Sequence, residues 1–173
     1  MSDNQDLAKL LIKTKEGGQS VSLTALSNAY DEYILELESI PEGAWNVLLG
    51  IFSDSTFLGR RGLERFLLEM NVDLPKYSPQ QLREFLDVLV TAVSFMSHEI
   101  ARHAAGDFIA RAYSEDVAIR TFKKLASGLP KEKHAAMVGL DVLLRQSDLK
   151  QSSAASELLE VLVVSYPEWH AKV

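Results

Sequence analysis

An all-α fold is predicted by three features of this 173-residue sequence. Apolar residues recur at alternating steps of three and four along most of the chain, which places them on one face of a helix. The gaps between these stripes carry helix-start and helix-stop residues where such residues belong. Strand signals are missing: no stretch alternates cleanly between apolar and polar, and no Asn-Gly or Asp-Gly hairpin turn occurs. The expected architecture is a single all-helical domain over 1–173, a bundle or short stack of antiparallel helix pairs. It would have about eight helices, with one long central helix over 79–104.

A short helix over 6–14 precedes Gly17-Gly18. The next spans 22–39. Leu23, Leu26, Tyr30, Tyr33 and Leu37 form its stripe, Ile34 widens it, and Asp31, Glu32, Glu36 and Glu38 take the opposite face. Pro41 suits the first turn of a helix running through Trp45, Leu48, Leu49 and Phe52. Gly59 to Met70 carries Leu63, Phe66, Leu67 and Met70. Ser78-Pro79-Gln80-Gln81 supplies an N-cap, a proline at the first helical position and a capping-box glutamine. The stripe Leu82, Phe85, Leu86, Leu89, Val93, Met96 and Ile100 then makes a helix roughly 39 Å long, with Gly106 as its stop.

Ser114-Glu115-Asp116 opens a helix through Val117, Ile119, Phe122 and Leu125. Lys123, Lys124 and Gly128 close it where the helix dipole favours cations. Pro130 starts another, through Met137, Leu140, Leu143 and Leu144. Ser152 or Ser153 caps the last, which carries Leu158, Leu159, Val161 and Leu162. No self-similarity appears at a period of about 30 to 45 residues, so nothing favours a solenoid.

The 47 % apolar and 24 % charged fractions are those of an ordinary soluble protein. There is no cysteine, which excludes disulfides and thiolate chemistry. The start, Met1-Ser2-Asp3-Asn4-Gln5-Asp6, lacks the basic residues and apolar run of a secretory signal. The longest apolar runs, such as Val161 to Val164, fall far short of the ~20 residues that span a bilayer. A cytoplasmic location and no membrane partner are expected. The sequence pI of about 5.2 argues against direct binding of nucleic acid, because phosphates attract basic faces.

The acidity is concentrated. Between Glu16 and Gly59 there is no Lys or Arg, but there are seven acids: Glu16, Asp31, Glu32, Glu36, Glu38, Glu42 and Asp54. The chain sums to −6, so the remaining residues sum to +1, with 18 basic against 17 acidic. A localised charge of this kind acts on partners as a diffuse one does not. Leu35 lies amid the acids, with Asp31, Glu32 and Glu38 at i−4, i−3 and i+3. An apolar knob with a polar rim is the pattern of an interface anchor. The plainer reading is a leucine covered by a neighbouring helix, or one of the many exposed leucines without a role.

His98, Glu99, Arg102 and His103 form the densest cluster of functional side chains. The pattern H-E-x-x-x-H is one residue too long for a zinc-protease helix. Its histidines stand about 140° apart around a helix and cannot share a metal without distortion. The plainer reading makes Glu99 and Arg102 surface charges and His103 a core-edge residue. Gly59-Arg60-Arg61-Gly62 could hold phosphate at a helix start. A KH-type grip needs a sheet, which is not found, and a tight turn whose arginines face water or pair with the acids is the simpler view. No nucleophile elbow, P-loop, dinucleotide fingerprint or calcium-loop spacing occurs. No catalytic residue, cofactor or metal is therefore expected. Tyr166-Pro167-Glu168-Trp169-His170 reads as a tail that packs back, with a docking peptide as the alternative.

The function expected is non-enzymatic. Asp31, Glu32, Leu35, Glu36, Glu38 and Glu42 would meet a basic protein partner, since acidic patches speed encounter with cationic surfaces. The sharpest form is an immunity- or antitoxin-type inhibitor of a toxin or nuclease, by analogy with a functional class. The alternatives are a helical enzyme with a polar site around His98, Glu99, Arg102 and His103, and a structural dimerisation module.

Overall fold

The computed structural model describes residues 4–18, 20–146 and 153–165. Every regular element among them is helical, as the periodicity requires. The helices are α1 (Asn4–Glu16), α2 (Thr24–Ile34), α3 (Glu42–Ser53), α4 (Ser55–Leu58), α5 (Leu63–Val72), α6 (Pro79–Val93), α7 (Glu99–Ala112), α8 (Glu115–Ala126), α9 (Pro130–Gln146) and α10 (Ser153–Ser165). A 3₁₀ turn, Leu74–Lys76, connects α5 to α6. No helix among the described residues is long and apolar enough to cross a membrane. Ser152 and the segment Tyr166–His170 lie outside the described residues.

The capping box at Ser78 forms as the sequence specifies. Ser78 Oγ accepts from the Gln81 amide at 3.1 Å, and the Gln81 side chain accepts from the Ser78 amide at 2.9 Å. The long helix over 79–104 does not form. It is divided into α6 and α7, and Ser94–His98 runs between them. At the end of α6 the amides of Phe95 and Met96 bond three residues back, to Ala92 and Val93, which tightens the last turn. Thr91 and Ser94 hydroxyls also donate to the carbonyls of Asp87 and Thr91, a local competition that bends helices. The turn leaves Met96 fully buried. Gly106 is not a stop; it lies inside α7.

The chain divides into two compact units, Met1–Ala101 and Arg102–Val173. In the first, α3 packs on α1 and α6, α1 on α2, and α2 on α5. Its centre is a closed circuit of six aromatic rings. Edge-to-face contacts run from Tyr77 to Trp45, Phe85, Phe52, Phe66 and Tyr30, with centroids 5.1 to 6.5 Å apart. A hydrogen bond of 3.3 Å between the Tyr30 and Tyr77 hydroxyls completes it. Burial drives both phenol pKa values far above the ordinary range, so each hydroxyl stays neutral. Each such ring pair adds about 0.5–1.5 kcal/mol beyond area burial. The circuit therefore fixes how α2, α3, α5 and α6 meet.

Arg60 corrects the reading of Gly59-Arg60-Arg61-Gly62. Its side chain is 1 % exposed. Its guanidinium donates to the carbonyls of Thr14, Lys15 (3.1 Å) and Thr56 (2.9 Å), and sits 4.9 Å from the Phe57 ring centroid. Arg60 thus satisfies the end of α1, where orphan carbonyls gather. It neither faces water nor waits for phosphate. Gly62, at φ 91°, supplies the left-handed turn into α5.

In the second unit α8, α9 and α10 pack on one another. Helices α7 and α9 approach to backbone contact at Gly106. A Cβ there would strike the Ala135 carbonyl and lie 2.9 Å from the Gly139 amide. The Phe122 ring of α8 lies directly over Gly139.

Candidate functional site

The acidic segment begins on α2 but is not one helix face. The helix ends at Ile34 rather than 39, and Leu35 to Ile40 is turn and irregular chain. Lys76 makes that end. Its ammonium donates to the carbonyls of Ile34 (3.0 Å) and Leu35 (3.1 Å) and pairs with Asp73 at 2.8 Å. A cation at a helix C-terminus is favoured by the dipole. The chain then bends, Ile40 bonds its amide to the Lys76 carbonyl, and Gln81 donates to the Ile40 carbonyl.

Glu36 and Glu38 therefore stand on a bend that follows α2. Glu32, Glu36, Glu38 and Glu42 are exposed. Among the described residues none of these four makes an ion pair. Leu35 is 70 % exposed, so no neighbouring helix covers it. The nearest cation bound to this backbone, Lys76, is already neutralised by Asp73. Of the other acids in the stretch, Asp54 does not stay unneutralised: Lys15 holds it at 2.7 Å, and that ammonium pulls its carboxyl pKa down to about 2.

Asp31 differs from its neighbours. It was expected on the outward face, but it is half-buried beside α5, and its Oδ1 is buried without a hydrogen-bond partner. Desolvation, reinforced by repulsion from Glu69 and Asp73 and opposed by Arg65, pushes its pKa up to about 7. At neutral pH it carries only part of a charge. Glu69 and Asp73, one helical turn apart on α5 and its end, extend the acidity beyond the basic-free stretch. Nothing in the sequence links them to Asp31; only the pairing of α2 with α5 does.

The second cluster is rearranged by the break before α7. His98 precedes the helix and Glu99 opens it. Glu99 and His103 are then at i and i+4, on one face. His134, from α9, stands beside His103. The two imidazole centroids are 4.9 Å apart. Arg102 Nε donates to His134 Nδ1 at 3.3 Å. His98 is not in this group. His134 carries no motif of its own in sequence, since its partners His103 and Arg102 are 31 and 32 residues away on another helix.

An open groove of about 510 Å³ runs along α3, α4 and α6, lined by Phe52, Ser55, Asp87, Thr91 and Phe95 among others. None of its lining residues belongs to the His98–His103 segment. No protein-family model matches this chain, and no curated protein or solved structure matches it either.

Proposed function

We propose that this protein is a non-enzymatic binding domain whose acidic surface meets a basic protein partner. The observation that supports this reading is the exposure of Glu32, Glu36, Glu38 and Glu42 around a 70 % exposed Leu35, with no ion pair from any of the four among the described residues. Carboxylates left to solvent repel one another at a small cost and attract cationic surfaces at long range. Leu35 would supply the desolvated centre and the acids the rim, which governs association rate more than affinity. Asp31 contributes less, because its charge is incomplete near neutral pH. The sharpest form of the proposal is an inhibitor that neutralises a basic toxin or nuclease.

The test is a charge reversal. Glu32→Lys with Glu36→Lys should weaken binding of a retained basic partner at least tenfold, mainly through slower association, without unfolding the domain. Wild-type affinity in that double variant would end the proposal. A second reading, a helical enzyme with its polar site at α7, draws support from the grouping of Arg102, His103 and His134.

A further inference from the structure

We propose that the groove between α3, α4 and α6 binds a small organic cation, an ammonium group carried on a flat apolar body. This site is independent of the acidic surface around Leu35, and all of its residues lie in the unit Met1–Ala101. Its volume of about 510 Å³ falls within the roughly 300–1,000 Å³ typical of small-molecule sites.

Helical spacing builds one wall. Asp87, Val88, Thr91 and Ala92 fall at i, i+1, i+4 and i+5, on one face of α6. Phe95 continues the row just past the helix, where its amide bonds to the Ala92 carbonyl at 2.9 Å. The opposite wall comes from the corner between α3 and α4. There Asp54 caps α4 by accepting from the Thr56 amide at 2.9 Å. Phe52 and Ser53 stand before that corner, Ser55 and Leu58 after it. Phe52, Leu58 and Ala92 are buried and make the floor, whereas the Phe95 ring at the rim is 53 % exposed. A flat apolar ligand laid on this floor takes Phe95 out of water.

The polar groups select the charge. No Lys or Arg lines the groove, and Asp87 is its one ionisable lining residue. Asp87 is exposed and makes no ion pair among the described residues. Asp54, at the corner, is already held by Lys15 at 2.7 Å. One turn on from Asp87, the Thr91 hydroxyl spends its proton on the Asp87 carbonyl at 3.1 Å, so it offers the groove only lone pairs. A carboxylate and a hydroxyl oxygen without a free proton both require a donor. An ammonium supplies three N–H donors and no acceptor. Its charge is also attracted to aromatic ring faces such as that of Phe95.

Titration of the full chain with tryptamine, followed by two-dimensional proton–nitrogen NMR, tests this. Amide shifts should gather in residues 52–58 and 87–95, with a Kd near or below about 1 mM, as suits so small a ligand. Indole-3-propionate, which carries the same ring on a carboxylate, should bind at least about fivefold more weakly. Asp87→Asn should weaken tryptamine binding about two- to fivefold and remove most of the preference over indole-3-propionate. Phe95→Ala should weaken it at least about threefold. Thr91→Trp, which fills the groove from an exposed position, should abolish it. Circular dichroism checks each fold; should Phe95→Ala not fold, Thr91→Trp decides the location. No shifts with tryptamine, shifts centred outside these residues, an equal response to indole-3-propionate, or unchanged affinity in Asp87→Asn would overturn the proposal. So would shifts of the same residues that grow with protein concentration alone, because a second copy would then fill the groove.

Discussion

Replacing Asp31 with asparagine is expected to stabilise the protein above pH 7 and to change little below pH 4. The Asp31 carboxyl is raised from 3.8 to about 7 by burial and by the carboxylates of Glu69 and Asp73. Below pH 4 it is protonated whether the chain is folded or not. Between pH 4 and 7 the folded state keeps a proton that the unfolded state gives up, so stability falls as pH rises. Above pH 7 both states are ionised, and the folded state bears the whole penalty of a charged, half-buried group. At about 1.4 kcal/mol per pH unit the full shift corresponds to roughly 4 kcal/mol. Asp31 is only half-buried, so solvent screening reduces this to about 1–2 kcal/mol. Urea denaturation at pH 4, 6 and 8, followed by circular dichroism, reads the effect. The gain from Asp31→Asn should grow across that range and level off near pH 8, and Glu69→Gln should reproduce part of it. Parallel pH profiles for wild type and Asp31→Asn would refute the reasoning.

Two further substitutions probe the packing on which the sites depend. Gly139→Ala forces a methyl into the Phe122 ring and to within 2.8 Å of the Gly106 carbonyl, and should cost about 1–3 kcal/mol in urea denaturation. A neutral result would mean that α7 and α9 are not in backbone contact and that the Phe122 ring of α8 does not cover Gly139. Arg60→Met keeps the apolar stem but removes the guanidinium donor from the carbonyls of Thr14, Thr56 and Lys15, the last of which keeps the Gly18 amide, and should cost about 3 kcal/mol. Wild-type stability would return Arg60 to the surface role first read from its glycine-flanked turn.

The helices were legible because most are specified locally. The Ser78 capping box, the acidic starts and basic ends, and the apolar stripes need only neighbours within a turn or two. The break before α7 was not legible. Met96 and Ile100 continue the stripe of α6 without a glycine or proline, and the chain turns because Met96 is drawn into the core. Continuing that stripe put His98 inside a helix that starts only at Glu99, and it gave no hint that His103 meets His134. Arg60 was misread for a related reason: a charged residue between two glycines looks solvent-bound until α1 ends against it. Asp31 was placed outward by a helical wheel that knew nothing of α5. The acids at 32, 36, 38 and 42 are exposed, in a run without local cations to pair with. The helix assigned to Glu36 and Glu38 was wrong, because Lys76, 42 residues after Ile34, terminates α2 through the carbonyls of Ile34 and Leu35.

The proposed binding of a basic partner is tested most directly by two parallel captures, one on immobilised wild-type protein and one on the Glu32→Lys, Glu36→Lys variant, with retained proteins identified by mass spectrometry. A basic protein held by the first and lost from the second, with both baits equally folded, is the expected outcome. Identical retention on the two baits, or no basic protein on either, would contradict it.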